Sequence, residues 1–193
     1  MKKVALLFIL AGFVLLGIGG YQYFKIQAAE KQAMTEATTL LEQSSKETNE
    51  AKKVSPEEFF PEIGDAVGIL EIPTLDAELP IVEGTDPDDL EKGVGHYRGS
   101  AYPEQNDQIV LSGHRDTVFR SLGEVEIGDT FTVKLPYGEF EYEMVDSKIV
   151  DADDTTIIKS TAPDEELVIT TCYPFSYVGN APDRYIIYAK PIN

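Results

Sequence analysis

A single cysteine, Cys172, closes the apolar run "ELVITTC", and Arg184 opens the next run, "DRYIIYAKPI". One of two histidines, His114, closes an earlier run, "QIVLSGH". A thiol, an imidazole and a guanidinium are together competent for acyl transfer. The thiolate attacks a carbonyl and carries the acyl group. The imidazole takes and returns a proton near neutral pH. The guanidinium keeps its proton and can hold a developing oxyanion. Other roles for a lone cysteine stay open on the residues alone: an inert buried side chain, an intermolecular disulfide or a metal ligand. A zinc set of His96, His114 and Cys172 has suitable ligand types, but the three are far apart in sequence and include no close ligand pair.

These residues meet only if the elements carrying them are correctly arranged. From about Gly64 the chain reads as short β-type runs, among them Val67–Ile72 and Glu78–Val82. In "TFTVKLPYGEFEYEMVDSKIV", Phe131, Val133 and Leu135 alternate, Pro136-Tyr137-Gly138 turn, and Phe140, Tyr142 and Met144 alternate back, which predicts a hairpin. "DPDDLEKG" predicts a short helix with Asp86 as N-cap, Pro87 at its first position and Gly93 as terminator. About eight short strands with few helices predict a mainly β fold, a closed or nearly closed barrel. Antiparallel pairing of the last two strands would set Cys172 across from Arg184. A His114 strand running parallel to the Cys172 strand would bring all three to one rim. Asp116 is expected to cap a short helix beginning near Val118 rather than to orient His114. His96 follows Gly95 in a segment that reads as a turn.

Ahead of the barrel, Met1-Lys2-Lys3 precedes "VALLFILAGFVLLGIGGYQYF", Val4 to Phe24, which contains no charge. That length spans roughly 30 Å of hydrocarbon. The lysines place the N-terminus in the cytoplasm, and Tyr21, Tyr23 and Phe24 fall in the outer interface. A cleaved signal peptide is the competing reading, since Ala28, Ala29 and Ala33 offer small residues. Residues 25–63, rich in Ala, Glu, Lys and Gln at first and punctuated by Pro56 and Pro61, read as a charged helical or partly disordered stalk, part of which could pack on the domain. The expected organisation is an anchor over 1–24, a stalk over 25–63 and a catalytic barrel over 64–193. The formal charge of −18 arises beyond residue 61, where nine cations face 27 acids. Such a surface repels nucleic acid and anionic lipid. "DADDTT" at 151–156 lacks the glycine and final acid of an EF-hand loop and reads as a solvated acidic turn, so no metal or cofactor is expected.

"LSGHRDTVF" (111–119) and "TTCYPFSYVGNAPDRYIIYA" (170–189) resemble the two signature segments of sortases, the membrane-anchored cysteine transpeptidases of Gram-positive bacteria, and "GVGHYRGSAYPEQND" (93–107) resembles the segment leading into their histidine strand. The resemblance covers residues 64–191 and implies an eight-stranded sortase-type β-barrel. It implies Cys172 as the nucleophile that cleaves an LPxT-type sorting motif after Thr on secreted proteins, His114 as acid and base, Arg184 as oxyanion and substrate holder, and a peptidoglycan-precursor amine as acceptor. Ser112, Thr171 and Tyr173 are candidate peptide contacts, although alternation turns Thr171 away from the Cys172 face. Calcium, which some sortases bind in surface loops, is not expected. The lone N-terminal span, the compact domain and "TTCYPFSYVG" look most like class D. The alternatives are a housekeeping class A enzyme, an inactive surface-anchored binding module and a cysteine endopeptidase. The residues leave open whether 45–63 fold back over the site as an inhibitory arm, a role that Pro56 and the Phe59-Phe60 pair would suit.

Overall fold

The computed structural model describes residues 2–47, 55–176 and 179–192. Residues 25–47 contain neither Gly nor Pro and are dense in good helix formers, so nothing stops the helix begun in the apolar segment. The anchor and the first part of the stalk are therefore one helix, α1 (Lys2–Glu47), 46 residues long. It includes one segment long and apolar enough to cross a membrane, and the other described residues bury none of it. Further along, Ala33 and Ala37, one turn apart, are 3% and 0% exposed because α1 packs them against the barrel.

Eight strands close the barrel: β1 (Ala66–Ile72), β2 (Ala77–Glu83), β3 (Val94–His96), β4 (Gln108–Gly113), β5 (Thr130–Leu135), β6 (Gly138–Asp151), β7 (Glu166–Tyr173) and β8 (Asp183–Pro191). Their order around it is β1-β2-β3-β4-β7-β8-β6-β5. β2 with β3 and β4 with β7 are parallel, and the other pairs are antiparallel. The expected β5–β6 hairpin is present, with Leu135 opposite Gly138. The expected short helix forms as α2 (Pro87–Leu90), although the Asp86 side chain makes no capping bond.

Alternation sorts the strand residues onto two faces. Leu70, Ile109, Leu111, Phe131, Tyr142, Leu167, Ile169 and Ile187 fill the barrel and are buried. Burying each such side chain contributes about 1.5–3 kcal/mol. Val110, Val168 and Ile186 point outward from β4, β7 and β8 and form a second, smaller cluster. Val150 of β6 and Ile157 from the segment between β6 and β7 cover it. This covered outer face leads up to Cys172.

Residues 55–63 form no arm over the site. Phe59 packs edge-on against Tyr102 and Tyr137, with ring centroids 4.9 and 5.3 Å apart. Gln105 donates to the Pro56 carbonyl at 2.7 Å. Tyr137 lies in the β5–β6 turn, at the end of the barrel opposite Cys172, and so this segment belongs to that far end. Of the rest of 45–63, residues 45–47 end α1 and residues 48–54 lie outside the described residues.

Candidate active site

Strand register brings the three reactive residues to one rim. Cys172 of β7 lies directly opposite Arg184 of β8. On the other side of β7, Gly113 ends β4 in register with Thr171, so His114 takes the next step beside Cys172. Adjacent strands are roughly 4.8 Å apart, and the three residues occupy three neighbouring strand ends. Cys172 shares its face with Thr170 and Val168, and Arg184 shares its face with Ile186. All of them stand on the outer face floored by Val110, Val168 and Ile186. Ser112, paired with Thr170, lies on that floor and is partly exposed.

The side chains are placed to meet a ligand. Cys172 is a free, half-buried thiol. His114 is half-buried, and among the described residues its ring has no hydrogen-bond partner. Arg184 uses only Nη1, which donates to the carbonyls of Asp183 at 3.0 Å and Ala181 at 3.3 Å. Among the described residues it makes no ion pair, so Nε and Nη2 remain as donors. Tyr173 is half-buried in an aromatic group with Phe175 and Tyr185, its ring 5.8 and 6.3 Å from theirs.

Several expectations need correction. Thr171 is 2% exposed, and its hydroxyl donates to the Gly113 carbonyl at 2.7 Å. It fastens β7 to β4 just below the rim and presents no surface to a peptide. No helix begins near Val118. The Phe119 N–H donates to the His114 carbonyl at 3.0 Å, a span of five residues that α-helical bonding does not have. Gly113 makes this turn feasible, because a Cβ there would lie 2.5 Å from the Phe119 ring. Asp116 is exposed and neither caps a helix nor holds the His114 ring. His96 is not in a turn: it ends strand β3, 1% exposed. Its Nδ1 meets Glu83 Oε2 at 2.7 Å and its Nε2 meets the Ala101 carbonyl at 2.9 Å. Tyr102 stacks on the ring and donates to the same Glu83 oxygen at 2.6 Å. Burial alone would raise the Glu83 carboxyl, but the hydrogen bonds from His96 and Tyr102 outweigh it and leave the group below its ordinary value. In the 151–156 turn, the Asp151 and Asp154 carboxylates accept from the backbone N–H groups of Asp153 and Thr156.

One residue at the rim escaped sequence reasoning. Arg115 follows His114 and is only 9% exposed. Its Nη1 donates to the Pro174 carbonyl at 3.0 Å and its Nη2 to the Gly179 carbonyl at 2.7 Å. It therefore ties the histidine turn to the loop that follows Cys172. The available signal was an arginine next to the candidate base in a domain with few cations.

Comparison with known proteins places the chain among relatives of one family. A sortase-domain family model matches residues 70–192. Sortase D of Bacillus subtilis is 56% identical over 199 residues, covering 100% of both chains. A solved sortase D5 transpeptidase of Clostridium perfringens is 25% identical with a TM-score of 0.69, covering 86% of this chain and 99% of that one. Sortase C of Clostridium perfringens, solved with the C-terminal cell wall sorting motif, shares the fold at 24% identity and a TM-score of 0.64, covering 93% of this chain and 99% of that one.

Proposed function

This chain belongs to the sortase family of cysteine transpeptidases, and we propose that Cys172, His114 and Arg184 carry its chemistry. It is a class D enzyme that acts on proteins bearing a cell wall sorting signal. The Cys172 thiolate attacks the Thr carbonyl of an LPxT-type motif and forms a C–S bond. The tetrahedral oxyanion is met by Nε and Nη2 of Arg184, the donors its loop leaves unused. Collapse breaks the Thr amide bond, and the departing amine takes a proton from His114. A thioester remains on Cys172. An amine of a peptidoglycan precursor then attacks it, gives a proton to His114 and displaces the thiolate. One amide bond is broken and one is made, with no change in oxidation state.

The observation that carries this reading is the register of Cys172 opposite Arg184 and one strand from His114. Ser112 and Tyr173, partly exposed beside Cys172, serve as peptide contacts. No cofactor or metal takes part in this scheme. Helix α1 anchors the enzyme in the membrane, with the N-terminal lysines on the cytoplasmic side and the barrel outside.

Chromatographic assay of full-length protein with LPxTG and LPxTA peptides, with and without an amine, tests the reading. We expect an amine-dependent peptide product that disappears in Cys172→Ala and falls at least a thousandfold in His114→Gln. Equal peptide cleavage with and without amine identifies an endopeptidase instead. Turnover that survives Cys172→Ala refutes the assignment.

A further inference from the structure

Contacts along α1 follow the barrel from one end to the other. Near the apolar segment, Lys25 Nζ reaches Glu91 Oε2 at 3.0 Å. Tyr23, Ile26, Gln27 and Glu30 line one side of a cleft of about 440 Å³, and Asp116, Thr117 and Arg120 line the other. The latter three belong to the turn that leaves His114, at the catalytic rim. One to four turns further along, Thr35, Thr39, Leu40 and Gln43 share a cleft of about 500 Å³ with Phe59 and the start of β1. Those residues belong to the opposite end of the barrel. Ala33, between the two clefts, and Ala37, beside the second, are buried, which fixes the helix against the wall. α1 therefore enters beside the catalytic rim and leaves at the far end.

The apolar run ends at Phe24, and Glu30 is six positions further along. At a rise of 1.5 Å per residue this is about 9 Å. The headgroup layer on each side of the hydrocarbon is roughly 5–8 Å thick. The β5–β6 turn is a strand length further out, about 20 Å or more.

We propose that the catalytic rim of this enzyme faces the bilayer at headgroup height, held there by α1. The surface fits reactants that carry their own membrane anchor and expose the reacting group within about two helical turns of the hydrocarbon edge. Attraction to lipid does not set this arrangement, since Lys25 and Arg120 at the membrane-proximal edge are offset by Glu30, Glu91 and Asp116. The packed helix sets it. The proposal rests on α1 spanning the membrane.

Cys172 is the only cysteine, which gives a direct test. The full chain is labelled there with a thiol-reactive fluorophore and reconstituted into phosphatidylcholine vesicles, with or without lipid carrying a nitroxide on its headgroup in both leaflets. The comparison protein, Cys172→Ala with Glu139→Cys, carries the same label on an exposed residue beside the β5–β6 turn. The expected result is co-flotation of both proteins with vesicles and at least twofold greater fractional quenching at residue 172. Equal or greater quenching at residue 139 in floating protein overturns the membrane-facing rim and leaves the anchor standing. Protein that does not float removes the anchor and the proposal together.

Discussion

Replacing Glu83 with Gln separates the two histidines of this enzyme. Glu83 is 3% exposed and its Oε2 accepts from both His96 Nδ1 and the Tyr102 hydroxyl. Nε2 of His96 lies 2.9 Å from the Ala101 carbonyl. Glutamine keeps the shape but removes the charge, and its amide nitrogen cannot accept. Removing the charged member of a buried, hydrogen-bonded pair costs about 3–5 kcal/mol. Solvent screens little of that, because both side chains are under 5% exposed. Against a typical domain stability of about 5–15 kcal/mol, the loss lowers the melting temperature by roughly 10–20 °C. The chain lacks Trp but has 10 Tyr, so urea unfolding in detergent can be followed by tyrosine fluorescence. The Glu83 carboxyl sits below its ordinary value of 4.5 in the folded protein. Its contribution is therefore complete above that pH and is lost as pH falls through the lowered folded value. The gap between Glu83→Gln and the parent should narrow in acid below about pH 4.5. Cys172 alkylation by iodoacetamide, at a temperature where both proteins are folded, should not change. A stability loss under about 1 kcal/mol, well below the buried-pair range, would refute the reasoning, as would a change in Cys172 reactivity.

Other outcomes follow from the rim. Arg115→Ala releases the carbonyls of Pro174 and Gly179 and should lower kcat/KM for a sorting peptide by about tenfold or more, a change of at least 1.4 kcal/mol, with Arg115→Lys recovering part of it. Rates equal to the parent in Arg115→Ala would remove this residue from the account. Thr171→Val leaves the buried Gly113 carbonyl without its hydroxyl donor and should cost about 1–3 kcal/mol in urea unfolding, while an unchanged midpoint would count against the strand clip. Arg184→Lys should lower kcat far more than it raises KM, because a point charge replaces a planar set of donors. A pure KM effect would assign Arg184 to ground-state binding.

Much of the fold was legible because its strands obey local rules. Phe131, Val133 and Leu135 alternate into a turn and then into Phe140, Tyr142 and Met144, and the register follows as expected. The pairing of Cys172 with Arg184 was likewise inferable from a strand end meeting a strand start. β3 was not recognised, since "VGH" is too short to show alternation and its place depends on β2 and β4, both distant in sequence. The turn after His114 misled for a similar reason. Its helical appearance gives way to Phe119 packing over Gly113, a tertiary contact that pulls the backbone into a five-residue closure. The division of α1 at residue 24 placed a boundary where hydropathy changes, whereas helix propensity does not change there. Thr171 was named for its place beside Cys172 and Asp116 as the cap of an expected helix; their actual roles depend on which carbonyl or solvent each faces.

The central claim is that sulfur, ring and cation act together on one acyl group. Intact-mass spectrometry of the full chain, quenched in acid shortly after mixing with a sorting-motif peptide, tests it most directly. The account predicts an adduct equal to the peptide up to and including its Thr, mapped to Cys172, removed by added amine and absent from Cys172→Ala. An unmodified Cys172 during active turnover, or an adduct on any other residue, would contradict it.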